Sequence, residues 1–351
     1  MVKFANLLVE IYAPFAKVQL VSPAAIATRF PCIPSKIHKY VAYIDKLLIF
    51  PCWLILNSYR YQLIHIADHG NAVYSFFCPH ARTLVTCHDL LAVRGAMGDR
   101  SVVCNASSFG PLLQRCIVSG LRHADSIIFV SNATYRDYLA LTSRKLRQRC
   151  KVIPNTLNAP FTHDSSSLVL NSDESYLVPQ NPYLLMVGSS LPRKNRHLAL
   201  QILIHLGENS PYSLVLSGAP LTADESLFQN TNLCGKKVIS IPSPSHRLLN
   251  LLYCKAHALL FPSYSEGFGW PLIEAQASGC PIIASNTTCI PEVAGLGALY
   301  SDPDDVLQFI AHIKLFEIPE QRLRIQNLGL ENIKRFDFKK IASEYHSFSR
   351  L

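Results

Sequence analysis

Short runs of aliphatic and β-branched residues alternate along this chain with segments whose apolar residues recur at helical spacing, the order in which parallel sheets are built. Strand candidates are Val18–Val21, Leu63–Ile66, Thr83–Thr86, Ser126–Val130 and Lys151–Ile153. A second series follows at Tyr183–Val187, Ser213–Ser217, Val238–Ile241, Ala258–Phe261 and Pro281–Ala284. Between the two lie Pro154-Asn155 and a polar stretch from His163 to Glu174, rich in Ser and Asp, which is the natural domain boundary. The pattern predicts an α/β protein of two Rossmann-like parallel-sheet domains, residues 1–158 and 175–338, with strand C-terminal ends around a shared central cleft. Residues 339–351 are left over, and Ile341 to Leu351 reads as a final helix that packs back on the first domain.

The start departs from that plan. Phe4, Leu7, Leu8, Ile11 and Tyr12 form the apolar stripe of a helix, and Val18–Val21 follows as a strand. A Rossmann half opens with a strand and a glycine-bearing turn before its first helix. The first βα unit of the N-terminal domain is therefore expected to be missing, either lost or encoded upstream of Met1.

Composition narrows the setting. A chain of 351 residues is long enough for two cores. No apolar run has the length of a membrane span; the nearest, Leu47 to Leu56, is interrupted by Pro51. No secretory signal pattern opens the chain. Eleven cysteines are scattered from Cys32 to Cys289 without a CxxC pair, which argues against a disulfide framework or a zinc site and for reduced thiols in the cytoplasm. The net charge of +9 is unevenly placed: residues 1–150 hold 17 Lys plus Arg against 7 acids, a net of +10, and residues 151–351 hold 16 against 17, a net of −1. A basic half suits nucleic acid or an anionic membrane. Interleaved basic and aromatic residues are scarce, and the one dense basic cluster, Ser143 to Arg149, reads by itself as a solvated helix face. An anionic acceptor or membrane surface is preferred to nucleic acid, with the protein peripheral on the inner face of the cytoplasmic membrane.

The richest segment for chemistry is Phe261-Pro262-Ser263-Tyr264-Ser265-Glu266-Gly267-Phe268-Gly269-Trp270-Pro271-Leu272-Ile273-Glu274. A strand runs into a turn with an acid and two glycines, then a helix begins at Pro271 and stops before Gly279. Glu274 is placed in the first helical turn, where the dipole favours a carboxylate. Glu266, Glu274 and the N–H groups of Gly267, Phe268 and Gly269 can face one volume, suited to a ligand with hydroxyls at one end and phosphates at the other. Taken alone, the acids read equally as a cap and a tight turn. Upstream, Gly188-Ser189-Ser190-Leu191-Pro192-Arg193-Lys194-Asn195 puts two cations after a strand and a glycine, an arrangement fit for a diphosphate or simply an exposed basic turn. In the first half, His88 and Asp89 end a strand, where a histidine titrates near neutrality or sits buried as a structural group. Asp68 and His69 end another, and Ser131 reads first as a helix N-cap. Asp302-Pro303-Asp304 has the spacing of a metal-binding D-x-D, but its place before a helical pattern from Asp304 to Ile313 reads as a cap.

The Glu266-to-Glu274 spacing resembles the E-x7-E signature of family 4 glycosyltransferases. The likeness continues through Ala277-Ser278-Gly279-Cys280-Pro281-Ile282-Ile283-Ala284-Ser285-Asn286 and Ile290-Pro291-Glu292-Val293-Ala294-Gly295. Gly188 to Asn195 is similar to the family's G-x-L-x-P-R-K-N stretch, with Ser189 where many relatives have Arg. The segments Ile64–Ala72, Val85–Leu91, Ala124–Thr134 and Val152–Asn155 fit as well. The resemblance implies the GT-B architecture and a retaining transfer of sugar from a nucleotide diphosphate-sugar to a hydroxyl of a glycan or lipid-linked acceptor, in envelope or surface glycan synthesis. It implies ribose at Glu274, and the donor sugar at Glu266 and the 267–269 amides. Lys194 and Arg193 would take the diphosphate beside Gly188 and Ser189, and His88 would face the sugar. Asp68, His69, Asp89 and Ser131 become acceptor-side candidates. No cofactor and no essential divalent metal are expected, with the 302–304 turn far from the donor. Two other readings remain open: a sugar-nucleotide epimerase or phosphorylase-like enzyme on the same fold, and a catalytically impaired donor-binding subunit.

Overall fold

The computed structural model describes residues 2–24, 41, 43–99, 102–103, 110–142, 148–168, 174, 176–232 and 238–350. Two parallel sheets organise them. The first runs β1 (Leu63–Ile66), β2 (Arg82–Cys87), β3 (Ser126–Phe129), β4 (Arg149–Val152) in that spatial order. The second uses β5 (Tyr183–Gly188), β6 (Ser213–Gly218), β7 (Val238–Pro242), β8 (Ala258–Phe261), β9 (Ile282–Ser285) and β10 (Leu299–Ser301) in the order β10-β9-β8-β5-β6-β7. The central strands are buried on both faces, which is why they read as continuous apolar runs rather than alternating ones.

Two expected elements differ. Val18–Val21 makes no strand. Its residues run beside the unpaired edge of β1, and Val18, Leu20, Leu63 and His65 line a cavity of about 480 Å³ there. With that cavity between it and β1 the run makes no ladder bonds, and β propensity alone does not order it. Conversely, β10 pairs with β9 although its three residues carry little pattern of their own.

The first helix, α1 (Val2–Tyr12), buries Phe4, Leu7, Leu8, Ile11 and Tyr12 as its stripe predicts. It packs over Leu84, Ile128 and Ile153 together with Ile341, Ala342, Tyr345 and Phe348 of the last helix, Phe338–Ser349. The last helix thus packs against α1 and the first sheet. A second helix, α2 (Phe50–Asn57), is preceded by a π-helical turn, Asp45–Ile49, and followed by a 3-10 turn, Ser58–Arg60. Three further helices matter for the cleft: α3 (Asn132–Leu141) after β3, α4 (Trp270–Ala277) after β8 and α5 (Ile290–Ala294) after β9. Of the basic cluster Ser143 to Arg149, residues 143–147 lie outside the described residues. Among the described residues no helix is long and apolar enough to cross a membrane.

Candidate active site in the interdomain cleft

The loop between β8 and α4 is the centre of the cleft. Gly269 ends it at φ +92°, a left-handed conformation that an L side chain disfavours, and Pro271 occupies the second helical position. Gly279 follows the helix at φ +66°. Because α4 begins at Trp270, Glu274 falls in its second turn rather than the first. Its carboxylate faces inward, where Tyr253 donates to Oε2 at 3.0 Å. Burial pushes the Glu274 carboxyl above its ordinary value, against the opposing hydrogen bonds from Tyr253 and Asn158.

Glu266 is also buried, at 7% exposure, and carries two cations. Lys194 Nζ lies 2.6 Å from Oε1 and Arg193 Nη1 lies 2.7 Å from Oε2. Burial disfavours its charge, but Lys194 and Arg193 outweigh that cost and hold the carboxyl below its ordinary value. Arg193 also donates to the Ser265 carbonyl (3.0 Å), and Lys194 lies over the Phe261 ring (5.1 Å). Gly188, at φ +138°, passes so near that a Cβ there would meet Lys194 Cε at 3.4 Å. Ser189 follows, half-buried, at the end of β5.

The first domain faces this loop directly. His88 Nε2 donates to the Ala67 carbonyl (3.0 Å), which leaves Nδ1 as the acceptor nitrogen, buried and unpartnered among the described residues. Phe4 meets the ring edge-on at 4.4 Å, and Trp270 lies 6.2 Å away. Burial lowers the His88 pKa, so the ring is neutral at pH 7. Asp89 accepts from the N–H of Leu91, the first residue of the helix Leu91–Ala96. Asp68 accepts from Gly70 N–H and stands 3.3 Å from His69 Nδ1. Ser131 caps α3 by accepting from Thr134 N–H, and its hydroxyl also donates across the cleft to the Gly267 carbonyl at 2.8 Å. Gly267 has no room for a side chain: a Cβ would stand 2.0 Å from the His88 carbonyl oxygen.

The structure therefore brings Glu266, Lys194, Arg193, Gly267–Gly269, His88 and Ser131 to one locus, with Gly188 and Ser189 behind the cations. Glu274 lies further along α4, hydrogen-bonded to Asn158, which with Lys3, Glu10, His246, Lys334 and Asp337 helps to line a cavity of about 740 Å³. The turn at Asp302–Asp304 is not remote, as expected, but abuts the basic turn: Asn195 donates to the Pro303 carbonyl (2.7 Å) and Tyr264 to Asp304 (2.6 Å). The helix after it, Val306–Leu315, is capped by Asp305. Among the described residues no cluster of His, Cys, Asp and Glu could hold a metal ion.

Several supporting residues carry no sequence signal of their own role. Thr288, at φ +50°, accepts from Glu266 N–H, and the Cys289 thiol donates to the carbonyls of Glu266 and Phe268. Arg196 binds the carbonyls of Gly188, Ala219 and Pro220. Arg196 opens its helix directly after Arg193, Lys194 and Asn195, so in sequence it reads only as one more charge of the basic turn. The carboxylate of Glu292 accepts from the N–H groups of Asn132 and Ala133 and from the Asn132 side chain, so an acid of one domain caps a helix of the other.

Comparison with known proteins bears on the family and the fold. The family model for group 1 glycosyl transferases matches residues 171–329. The chain is 31% identical over 258 residues to the O-antigen chain mannosyltransferase RfbU of Salmonella typhimurium, covering 69% of this chain and 71% of that protein. It is 25% identical over 350 residues to the O-antigen chain mannosyltransferase B of Escherichia coli, covering 93% and 89%. Among solved structures, Anabaena HepE in complex with UDP and glucose superposes with a TM-score of 0.71 at 16% identity, covering 99% of this chain and 96% of that one. A sucrose-phosphate synthase from Thermosynechococcus elongatus gives 0.69 at 21%, covering 96% and 86%. The likeness to these two structures is one of fold, the GT-B arrangement of two Rossmann-like domains.

Proposed function

The chain belongs to the group 1 glycosyltransferases, and on that footing we propose that it is a retaining, family 4 enzyme transferring mannose from a nucleotide diphosphate-mannose to a hydroxyl of a surface glycan such as an O-antigen chain. The names of its mannosyltransferase relatives support the sugar and the acceptor class. The observation that carries the reading is Glu266, buried between Lys194 and Arg193 beneath the Gly267–Gly269 amides and across from His88.

In this reading Glu274 takes the ribose hydroxyls, while Glu266 and the 267–269 amides hold the sugar. Lys194 has three N–H donors and gives one to Glu266, so others remain for diphosphate oxygens. As the bond from the anomeric carbon to the diphosphate breaks, negative charge grows on the leaving oxygen. Lys194 and Arg193 stabilise that charge without reorganising. The acceptor hydroxyl attacks from the same face and gives its proton to the departing phosphate, so the anomeric configuration is retained. His88 presents its Nδ1 lone pair to a sugar hydroxyl and, being neutral, adds no repulsion to an oxocarbenium-like state. Closure of the domains around the loop limits hydrolysis. Asp68 and His69 lie on the acceptor side, and no divalent metal is required.

A panel of nucleotide sugars tests this, with product release and the anomeric configuration followed by NMR, in EDTA and with added Mg²⁺ or Mn²⁺. Mannose transfer with retention, unchanged by EDTA, is expected. Inversion, a metal requirement, or donor epimerisation without transfer would each overturn the corresponding part.

A further inference from the structure

The apolar run Leu47–Leu56 is folded inside out. From Tyr43 to Arg60 the chain is continuously helical. Its inward face carries Asp45 and Ser58, 4% and 0% exposed, beside Phe50, Pro51 and Leu54. Its outward face carries Ile44, Leu47, Leu48, Ile55, Leu56 and Tyr59, with Leu48 63% and Leu56 70% exposed. A water-facing helix shows the reverse distribution. A row of large aliphatic side chains this long marks an interaction surface rather than scattered exposure. Lys46 and Arg60 belong to the same helical stretch, and Arg60 lies 5.6 Å over the Tyr59 ring.

We propose that this ridge lies in the head-group layer of an anionic phospholipid bilayer, flat against it rather than through it. Charge decides the occupant. Residues 1–150 hold a net of +10 and the rest a net of −1, so the ridge is displayed by the basic domain. Anionic lipid satisfies both the aliphatic row and that field, whereas a second copy of the chain would bring like charge against like. The placement is useful for the transfer proposed above, on which this part of the inference rests. The helix packs on Tyr74, through Phe50 at 5.1 Å and a Tyr74 hydroxyl bond to the Lys46 carbonyl. Tyr74 belongs to the 3-10 helix His69–Phe77, which begins at the acceptor-side pair Asp68 and His69. A lipid-borne acceptor would thus meet the cleft one helix away from the bilayer.

Cosedimentation of the full chain with phosphatidylcholine vesicles, with and without 30% phosphatidylglycerol, tests the proposal. Wild type is expected to bind the anionic vesicles at least tenfold better, and less so in high salt. Leu48→Glu with Leu56→Glu should lower that binding at least tenfold while leaving the melting temperature and transfer to a water-soluble acceptor unchanged. Absence of wild-type binding, or equal binding by the variant, would overturn it. So would concentration-dependent dimerisation that the same variant abolishes in the absence of vesicle binding. Vesicle binding needs no sugar transfer, so failure of the proposed reaction and failure of the membrane ridge are read separately.

Discussion

A carboxylate closed off from water takes its properties from the few atoms around it, and Glu266 has two cations within hydrogen-bonding distance. Removing Lys194 leaves that charge half compensated. Lys194→Ala should lower folding stability by about 3–5 kcal/mol in denaturant titrations and Lys194→Arg by much less. In calorimetry, Lys194→Ala should also lose nucleotide-sugar binding; unchanged affinity would remove Lys194 from the donor site. The pH dependence has a definite sign. The folded-state pKa of Glu266 is depressed, so its stabilising contribution is complete above the unfolded value and disappears as pH falls through the lower folded value. His88 also has a depressed pKa, so the unfolded chain takes up its proton first and stability falls as pH drops below about 6.5. An NMR titration of the His88 ring should give a midpoint below 6.5; a midpoint above it would mean that a carboxylate has reached Nδ1. These candidates were legible because acids, cations and a histidine at strand ends are out of place in an apolar pattern. Thr288, Cys289 and Tyr253 were not, since ordinary residues acquire their roles only when the fold brings them to Glu266 and Glu274.

Elements were legible wherever burial repeats locally. The strands from β1 to β9 and the stripe of α1 follow from such repetition. The strand expected at Val18–Val21 fails because a cavity lies between it and the β1 edge, and Glu274 falls in the second turn because Gly269 starts α4 one residue early. Junctions between elements are set by space, and space is not written in periodicity. Gly267 shows this. In sequence it is one glycine of a turn, yet its missing Cβ is what lets the β8–α4 loop touch His88. Gly267→Ala should therefore separate the loop from the first domain while both cores stay folded. Transfer is expected to fall at least a hundredfold, about 3 kcal/mol at the transition state, with little change in melting temperature. Near-normal turnover would show that the contact between loop and His88 carbonyl is dispensable.

At the scale of the molecule, polar contacts across the cleft hold the two domains together, among them Ser131 and Thr134 to the Gly267 carbonyl and Ser265 to the Val102 carbonyl, so closure is a balance that loss of one contact shifts. Glu292 is the clearest, capping α3 from the opposite domain. Glu292→Gln keeps the shape and removes the charge. The unliganded radius of gyration from X-ray scattering should rise, and donor affinity should fall modestly, by about tenfold or 1.4 kcal/mol. An unchanged radius would mean that closure is held elsewhere. The chain is also folded back on itself: the first domain's core joins Phe4, Leu7 and Ile11 to Ile341, Tyr345 and Phe348. A ribosome delivers these two groups more than 300 residues apart. The domain begun first must wait, with one side of its core open, until residue 348 emerges, while the contiguous second domain can already be complete. Translation order and folding order are therefore reversed, and a released chain truncated after residue 336 should protect β5–β10 from protease while leaving β1–β4 exposed.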